Sequence, residues 1–182
     1  MPPAENYRRQ VVLLIKVVPF VAAEKCLALK GGTAINLFLR DMPRLSVDLD
    51  LTYLPIADRE QSLAEIDAAL KRIADSIVAG IPGTSVSRGA PRTEAHITKL
   101  IVRADDAQMK IEVTPVLRGC VYEPATRSVT PRVEEAFGFA EMQVMSFADL
   151  YGARSSPPWT GSIRAIFSTC GTSWQMRVSV MS

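Results

Sequence analysis

Two carboxylates stand one residue apart in an apolar segment, Asp48-Leu49-Asp50-Leu51. In a β-strand successive side chains point to opposite faces, so Asp48 and Asp50 share one face while the leucines occupy the other. Two carboxylates about 4 Å apart repel each other by roughly 4 kcal/mol at an effective dielectric constant of about 20. A cation between them offsets this repulsion, and hard oxygen ligands suit Mg²⁺. The pair therefore predicts a metal-dependent phosphoryl-transfer site.

A third acidic side chain lies in another apolar segment, Met109-Lys110-Ile111-Glu112-Val113. Alternation puts Lys110 and Glu112 on one face of this predicted strand. If the strand lies beside the aspartate pair, Glu112 completes a three-carboxylate cage that can hold two Mg²⁺ ions about 3.5–4 Å apart. The alternative is that Glu112 faces water and pairs with Lys99 or Lys110. An acidic residue buried without a partner in an apolar strand is costly. The upstream aspartate pair would give Glu112 a shared metal ion as its partner, and this favours the cage.

A glycine pair, Gly31-Gly32, precedes Thr33 at the start of a predicted helix. Unpaired N–H groups at a helix N-terminus bind anions, and glycine lets a phosphate approach the backbone. An ordinary tight turn is the alternative, and the helix beginning at Thr33 favours the phosphate site. Ser46 shares the carboxylate face and can contact a phosphate or a metal-bound water. Arg44 can bind phosphate through its forked guanidinium, or form a surface salt bridge instead.

The elements that must position these residues alternate between helices and strands. The longest predicted helix is Asp58 to Ala79, with apolar residues at three- and four-residue spacing, Asp58 as its N-cap and Gly80 just past its end. A first helix, Glu5 to Val18, meets a kink or stop at Pro19. Residues 105–106 predict a hairpin turn. The remaining predicted strands are 26–30, 46–54, 84–87, 96–103 and 108–114, and the shorter helices are 33–40, 134–137 and 146–151.

Composition sets the class of protein. A chain of 182 residues with 48% hydrophobic and 22% charged residues fits one globular domain. The net charge of +2 gives no argument for nucleic-acid binding by itself. Three cysteines without metal spacing favour a reducing cytoplasm. The apolar run from Val11 to Ala23 starts too late for a signal peptide and is too short to span a membrane, so we expect a cytoplasmic protein with no membrane partner.

Three separated motifs carry a family resemblance: LKGGTAINLF, PRLSVDLDLTYLP and KIEVTPVLRG. Their order resembles that of the DNA polymerase β-type nucleotidyltransferases and, more narrowly, of the AbiEii/AbiGii toxin family of bacterial toxin–antitoxin and phage-defence systems. The resemblance covers roughly residues 7–151. It implies an α+β fold of the polymerase β type, with a small mixed sheet flanked by helices.

The same resemblance implies roles for individual residues. Gly31, Gly32 and Thr33 would contact nucleotide phosphates, while the metal ligands and catalytic carboxylates would be Asp48, Asp50 and Glu112. The implied reaction transfers a nucleoside monophosphate from a nucleoside triphosphate (NTP) to an RNA acceptor such as tRNA, with Mg²⁺ as cofactor and pyrophosphate leaving. A cognate antitoxin protein is the implied partner.

The C-terminal segment, residues 153–182, departs from the family pattern. Family members continue with a helix carrying a lysine and then an Arg-Asp-x-x-Asp helix, and neither follows Gly152 here. If one G is restored after the codon for Gly152, one permitted choice of codons rereads the tail as GKIVAALDRQHPRDLFDVRDLLA, which contains both elements. Two letters are forced: Trp159-Thr160 yields an aspartate and Trp174-Gln175 an alanine. We therefore interpret 153–182 as a disordered, out-of-frame tail on a nucleotidyltransferase domain, residues 1–152; the alternative is a genuine divergent tail.

Three function classes follow. The first is a nucleotidyltransferase toxin, whose transfer activity we expect to be impaired by the altered C-terminus. The second is a catalytically inactive remnant that still binds nucleotide or antitoxin. The third is a metal-dependent nuclease using the same carboxylates, against which the glycine turn argues.

Overall fold

The computed structural model describes residues 3–40, 46–90, 96–114 and 119–152. Within those ranges it contains one mixed sheet of seven strands in the order β3-β4-β5-β2-β1-β7-β6. The strands are β1 (Leu27–Lys30), β2 (Leu49–Tyr53), β3 (Thr84–Gly89), β4 (Lys99–Ala104), β5 (Ala107–Val113), β6 (Ala125–Ser128) and β7 (Glu141–Val144). The pairs β2–β5 and β1–β7 are parallel, and the other neighbours are antiparallel. This arrangement confirms the predicted α+β class with a mixed sheet.

Two long helices cover the sheet. Helix α1 (Pro3–Ala22) packs against β5 and β7, and α3 (Arg59–Gly80) packs against β3, β4 and α1. Of the kink or stop predicted at Pro19, the stop is wrong, since α1 continues to Ala22. Its last turns bury Val17, Val18 and Val21 completely, and this burial keeps the helix packed although proline removes one N–H donor.

Helix α3 matches its sequence signals closely. The Asp58 carboxylate accepts a hydrogen bond of 2.8 Å from the Gln61 backbone N–H, which makes Asp58 the N-cap that the sequence predicted. Gly80 is the last residue of the helix. A Cβ there would come within 2.5 Å of the Phe20 ring, so glycine lets the ends of α1 and α3 pack closely.

The helix after the glycine pair has an unusual form. It begins with a short α-helical turn, α2 (Gly31–Thr33), and continues without a break as a π-helical segment, Ala34–Leu39. The Arg40 N–H donates to the Ile35 carbonyl, five residues back, at 2.8 Å. The helix predicted over 33–40 is thus present but starts at Gly31 and is wider than an α-helix.

Two shorter helices complete the described chain, α4 (Pro131–Phe137) and α5 (Phe147–Gly152). The hairpin between β4 and β5 turns at Asp105, whose φ of +48° lies in the left-handed region. None of the helices in the described ranges is long and apolar enough to cross a lipid bilayer.

Burial alternates along the central strands and separates two faces of the sheet. In β5 the apolar residues Met109, Ile111 and Val113 are buried, whereas Lys110 and Glu112 between them are only partly covered. The buried side chains join one core with α1 and α3. The opposite face carries the polar residues that the sequence singled out.

Candidate active site

A row of charged residues crosses four strands on the less buried face of the sheet. In register, Lys30 on β1 pairs with Asp50 on β2, which pairs with Glu112 on β5, which in turn pairs with Lys99 on β4. Directly paired residues on neighbouring strands project to the same face. Asp50 and Glu112 are therefore immediate neighbours, and a lysine flanks them on each side.

Asp48 joins this row through Lys110. The Lys110 Nζ lies 2.8 Å from Glu112 Oε2 and 3.6 Å from Asp48 Oδ2. One ammonium group thus lies between Glu112 of β5 and Asp48, which directly precedes β2. The pairing of Glu112 with Lys110, considered as an alternative from the sequence, is present together with the neighbouring placement of Glu112 and Asp50. We call Asp48, Asp50 and Glu112 the carboxylate site.

The glycine pair packs directly against the strand that carries the aspartates. A Cβ on Gly31 would lie 2.9 Å from Asp50 Oδ2, and a Cβ on Gly32 would lie 2.9 Å from Ser46 Oγ. Gly31 also has a φ of +78°, a conformation that other residues rarely adopt. Glycine is therefore required here for two reasons, its backbone conformation and the close approach of the Asp50 carboxylate.

Thr33 fastens the glycine turn to the segment before β2. Its buried hydroxyl donates a hydrogen bond of 2.5 Å to the Asp48 carbonyl oxygen. The Ser46 hydroxyl lies 3.0 Å from the same Thr33 oxygen. Because the single Thr33 proton points at the carbonyl, Ser46 is the donor in this second hydrogen bond. Thr33 thereby fixes the backbone of Asp48 and the side chain of Ser46 together.

Burial and neighbouring charges shift the acidity of three groups. Burial raises the pKa of Asp50, and the nearby Asp48 and Glu112 carboxylates add to that effect while Lys110 and Lys30 oppose it. Burial also lowers the pKa of Lys30, against the attraction of Asp50 and Glu112. The hydrogen bond to Glu112 raises the pKa of Lys110. Three carboxylates therefore repel one another at this site, and Lys30 and Lys110 partly neutralise their charge.

The residues suit a hard cation by their chemistry. Carboxylate oxygens are the ligands that Mg²⁺ prefers, and all three carboxylates stand on one face of adjoining strand segments. As the side chains are placed, however, no three acidic, histidine or cysteine groups in the described part of the chain converge closely enough to hold a metal ion. Lys110 stands between Asp48 and Glu112 instead. Metal binding would require this ammonium to move.

Most of the predicted site residues are brought together. The helix start at Gly31, Gly32 and Thr33 adjoins Ser46, Asp48 and Asp50, and β5 adds Glu112. Arg44 lies outside the described residues, as does the predicted tail of 153–182. Sequence reasoning did not assign Lys30 to the site, although its position directly before the glycine pair was the available signal.

Comparison with known proteins identifies the family. A family profile described as "Nucleotidyl transferase AbiEii toxin, Type IV TA system" matches residues 13–153. No curated protein matches the chain significantly. Among solved structures, the nucleotidyltransferase toxin MenT4 from Mycobacterium tuberculosis H37Rv is similar in fold, with a TM-score of 0.56 and 18% sequence identity. The match covers 81% of this chain and 51% of MenT4, so the chain spans about half the length of that protein. From its motifs, its fold and the matching profile, the chain belongs to the AbiEii nucleotidyltransferase toxin family.

Proposed function

We propose that this chain is a nucleotidyltransferase toxin that moves a nucleoside monophosphate from an NTP to an RNA acceptor. The observation that carries the proposal is the direct pairing of Asp50 with Glu112 beside the Gly31 turn. An anion-binding turn next to paired carboxylates suits a substrate that is both a polyphosphate and a metal ligand. Membership in a family of type IV toxin–antitoxin systems adds a cognate antitoxin as the proposed partner.

Each group has a proposed task in this reaction. Asp48, Asp50 and Glu112 would hold Mg²⁺, which when bound would polarise the reacting phosphate and favour ionisation of the attacking hydroxyl. The Gly31 and Gly32 backbone N–H groups would bind the departing pyrophosphate portion of the NTP. Thr33 would keep this turn in register with the carboxylates, because it is bonded to Asp48 and Ser46.

Charge balance supports transfer from an NTP. A polyphosphate brings several negative charges toward three carboxylates, so cations on the same face are needed to accept it. Lys30 is half-buried beside Asp50 and lies directly before the glycine turn. We propose that Lys30 faces the phosphates of the bound nucleotide, and that the Arg44 guanidinium also binds phosphate.

Nucleotide binding tests the site independently of turnover. We expect purified residues 1–182 to bind an NTP with Mg²⁺ in isothermal titration calorimetry, and Asp48→Asn or Asp50→Asn to weaken binding by about 100-fold or more. Asp75→Asn is the matched control, since this exposed residue on α3 pairs with Arg88 instead. Equal binding by the control and the two site variants would contradict the proposal.

Incubation with each labelled NTP, Mg²⁺ and total tRNA tests the reaction itself. Nucleotide addition that is lost in Asp50→Asn supports the transferase. Binding without addition favours the inactive remnant, and RNA cleavage that depends on the carboxylates favours the nuclease.

We propose further that residues 153–182 limit this activity. A variant carrying the reread tail, with its lysine helix and Arg-Asp-Leu-Phe-Asp sequence, should add nucleotide faster than the chain as it stands. The nucleotide sequence around codon 152 gives a separate check. If no single-base change opens the family pattern there, the tail is a genuine part of the protein.

A further inference from the structure

Lys110 lies among the carboxylates of the proposed metal site, where a positively charged side chain is not expected. Its Nζ contacts Glu112 Oε2 at 2.8 Å and approaches Asp48 Oδ2 to 3.6 Å. Strand alternation puts Lys110 and Glu112 on the same face, two residues apart, so the ammonium is directed at the carboxylate site by the backbone itself. The side chain is also 70% covered, since its exposed fraction is only 30%.

The two carboxylates that Lys110 contacts come from different parts of the chain. Glu112 belongs to β5, whereas Asp48 directly precedes β2, and these two strands meet at a parallel seam. Without a cation at this seam, Asp48, Asp50 and Glu112 would repel one another and turn outward into water. The Lys110 ammonium supplies that cation when no metal is bound.

We propose that Lys110 is a resident counter-ion that keeps the carboxylate site assembled in the metal-free protein and is displaced when a divalent cation binds. This rests on the proposed function, because it takes the carboxylate site as the metal site. A divalent cation would need the same carboxylate oxygens as its ligands. The ammonium and the metal ion cannot share those oxygens at close range, since both are positive. Lys110 is thus a positioning residue that lowers the affinity of the site for metal.

The test measures metal affinity rather than activity. Mn²⁺ serves as the probe, titrated into the full chain and followed by its electron paramagnetic resonance signal, which reports free ion. We expect Lys110→Met to bind Mn²⁺ about tenfold more tightly than the wild type, because a competing positive charge has been removed. In the presence of a chelator the same variant should unfold at a lower temperature, and saturating Mn²⁺ should remove most of that difference.

Three further variants keep the result interpretable. Lys110→Gln removes the charge but keeps a hydrogen-bond donor, so it should show the same gain in affinity if Lys110→Met folds poorly. Lys99→Met removes a charge that lies opposite Glu112 in register. It measures how much the loss of any nearby positive charge changes the affinity for Mn²⁺. Lys71→Met breaks an ion pair of 2.7 Å with Asp67 on α3 and should leave Mn²⁺ affinity unchanged.

The outcomes separate the two proposals. Unchanged or weaker Mn²⁺ binding in both Lys110 variants, with wild-type binding that still depends on Asp50, overturns the counter-ion role alone. An equal gain in Lys99→Met and Lys110→Met also overturns it, because the effect would then be one of general charge. Absence of Mn²⁺ binding in the wild type and in both Lys110 variants overturns the metal site and the counter-ion together.

Discussion

The Asp50 carboxylate lies against the Cα of Gly31, so that a single methyl group on this glycine would come within 2.9 Å of Asp50 Oδ2. Gly31 and Asp50 belong to separate elements, the start of α2 and the middle of β2. Their contact means that the glycine turn and the carboxylate site are directly adjacent. A Cβ added at position 31 must therefore displace the Asp50 carboxylate.

Replacing Gly31 by alanine, beside a control glycine, separates the energetic cost of this contact from that of backbone strain. Gly31→Ala should lower the free energy of unfolding by about 3 kcal/mol, because it combines a left-handed φ with a clash against Asp50. Gly83→Ala is the matched control: Gly83 has the same φ of +78° but nothing within 4 Å of an added Cβ. We expect it to cost only about 1 kcal/mol. Urea denaturation measures both, and equal losses would show that the approach of Asp50 has no energetic effect.

Gly32 offers a milder change at the neighbouring position. An added Cβ would meet the Ser46 hydroxyl, which can rotate away, so Gly32→Ala should be tolerated better than Gly31→Ala. Rotation breaks the hydrogen bond between Ser46 and Thr33. Nucleotide affinity should therefore fall in Gly32→Ala with little loss of stability, which calorimetry and denaturation together would reveal.

Thr33 should be more important for stability than its size suggests. Thr33→Val keeps the shape but removes the donor to the Asp48 carbonyl and the acceptor for Ser46. Loss of a buried hydrogen bond that leaves its partner unsatisfied costs about 1–3 kcal/mol. Thr33→Ser keeps the hydroxyl and should lose less than half as much. A Thr33→Val protein as stable as the wild type would contradict the assigned hydrogen bonds.

The N-cap of α3 gives a prediction away from the site. Asp58→Ala should destabilise the protein by about 1 kcal/mol, because the Gln61 backbone N–H loses its carboxylate acceptor. Asp58→Asn retains a side-chain oxygen and should restore most of the loss. Thermal unfolding monitored by circular dichroism at 222 nm compares the three proteins.

The contact between Tyr53 and Glu65 should make stability depend on pH. The buried Tyr53 hydroxyl donates a hydrogen bond to the Glu65 carboxylate, and this bond lowers the pKa of Glu65 below its ordinary 4.5. A carboxylate with a depressed folded-state pKa stabilises the protein above its unfolded-state pKa, and this contribution disappears as pH falls through the folded-state value. The stability difference between wild type and Tyr53→Phe should thus be largest above about pH 5 and shrink below pH 4.5. A difference that stays constant between pH 3 and pH 7 in urea titrations would contradict this linkage.

The sequence predicted the fold best where one signal was strong. Helix α3 has a regular apolar period and an N-cap, and the β4–β5 hairpin has a turn at Asp105, so both were located nearly to the residue. Strands β6 and β7 were missed. Every residue of Ala125–Ser128 is exposed, and an edge strand without a buried face has no alternation to detect. The π-helical segment Ala34–Leu39 is likewise too short for its apolar residues to show a period that differs from that of an α-helix.

The candidate site was predictable in its residues but not in its contacts. Alternation placed Asp48 with Asp50 and Lys110 with Glu112, yet it could not say which strands would be neighbours. The parallel pairing of β2 with β5 joins segments that are far apart in the chain, and this depends on the packing of the whole sheet. The bridging position of Lys110 follows only from that pairing, whereas Lys30 reaches Asp50 through the antiparallel pairing of β1 with β2.

The strand order has a consequence for synthesis on the ribosome. One side of β1 pairs with β2, which emerges soon after it, but the other side waits for β7, whose Val144 pairs with Leu29. At translation rates of about 5–20 residues per second, that edge of β1 stays open for several seconds. Open strand edges recruit other chains. The nascent protein should therefore depend on chaperones until β7 has been synthesised and can pair with β1.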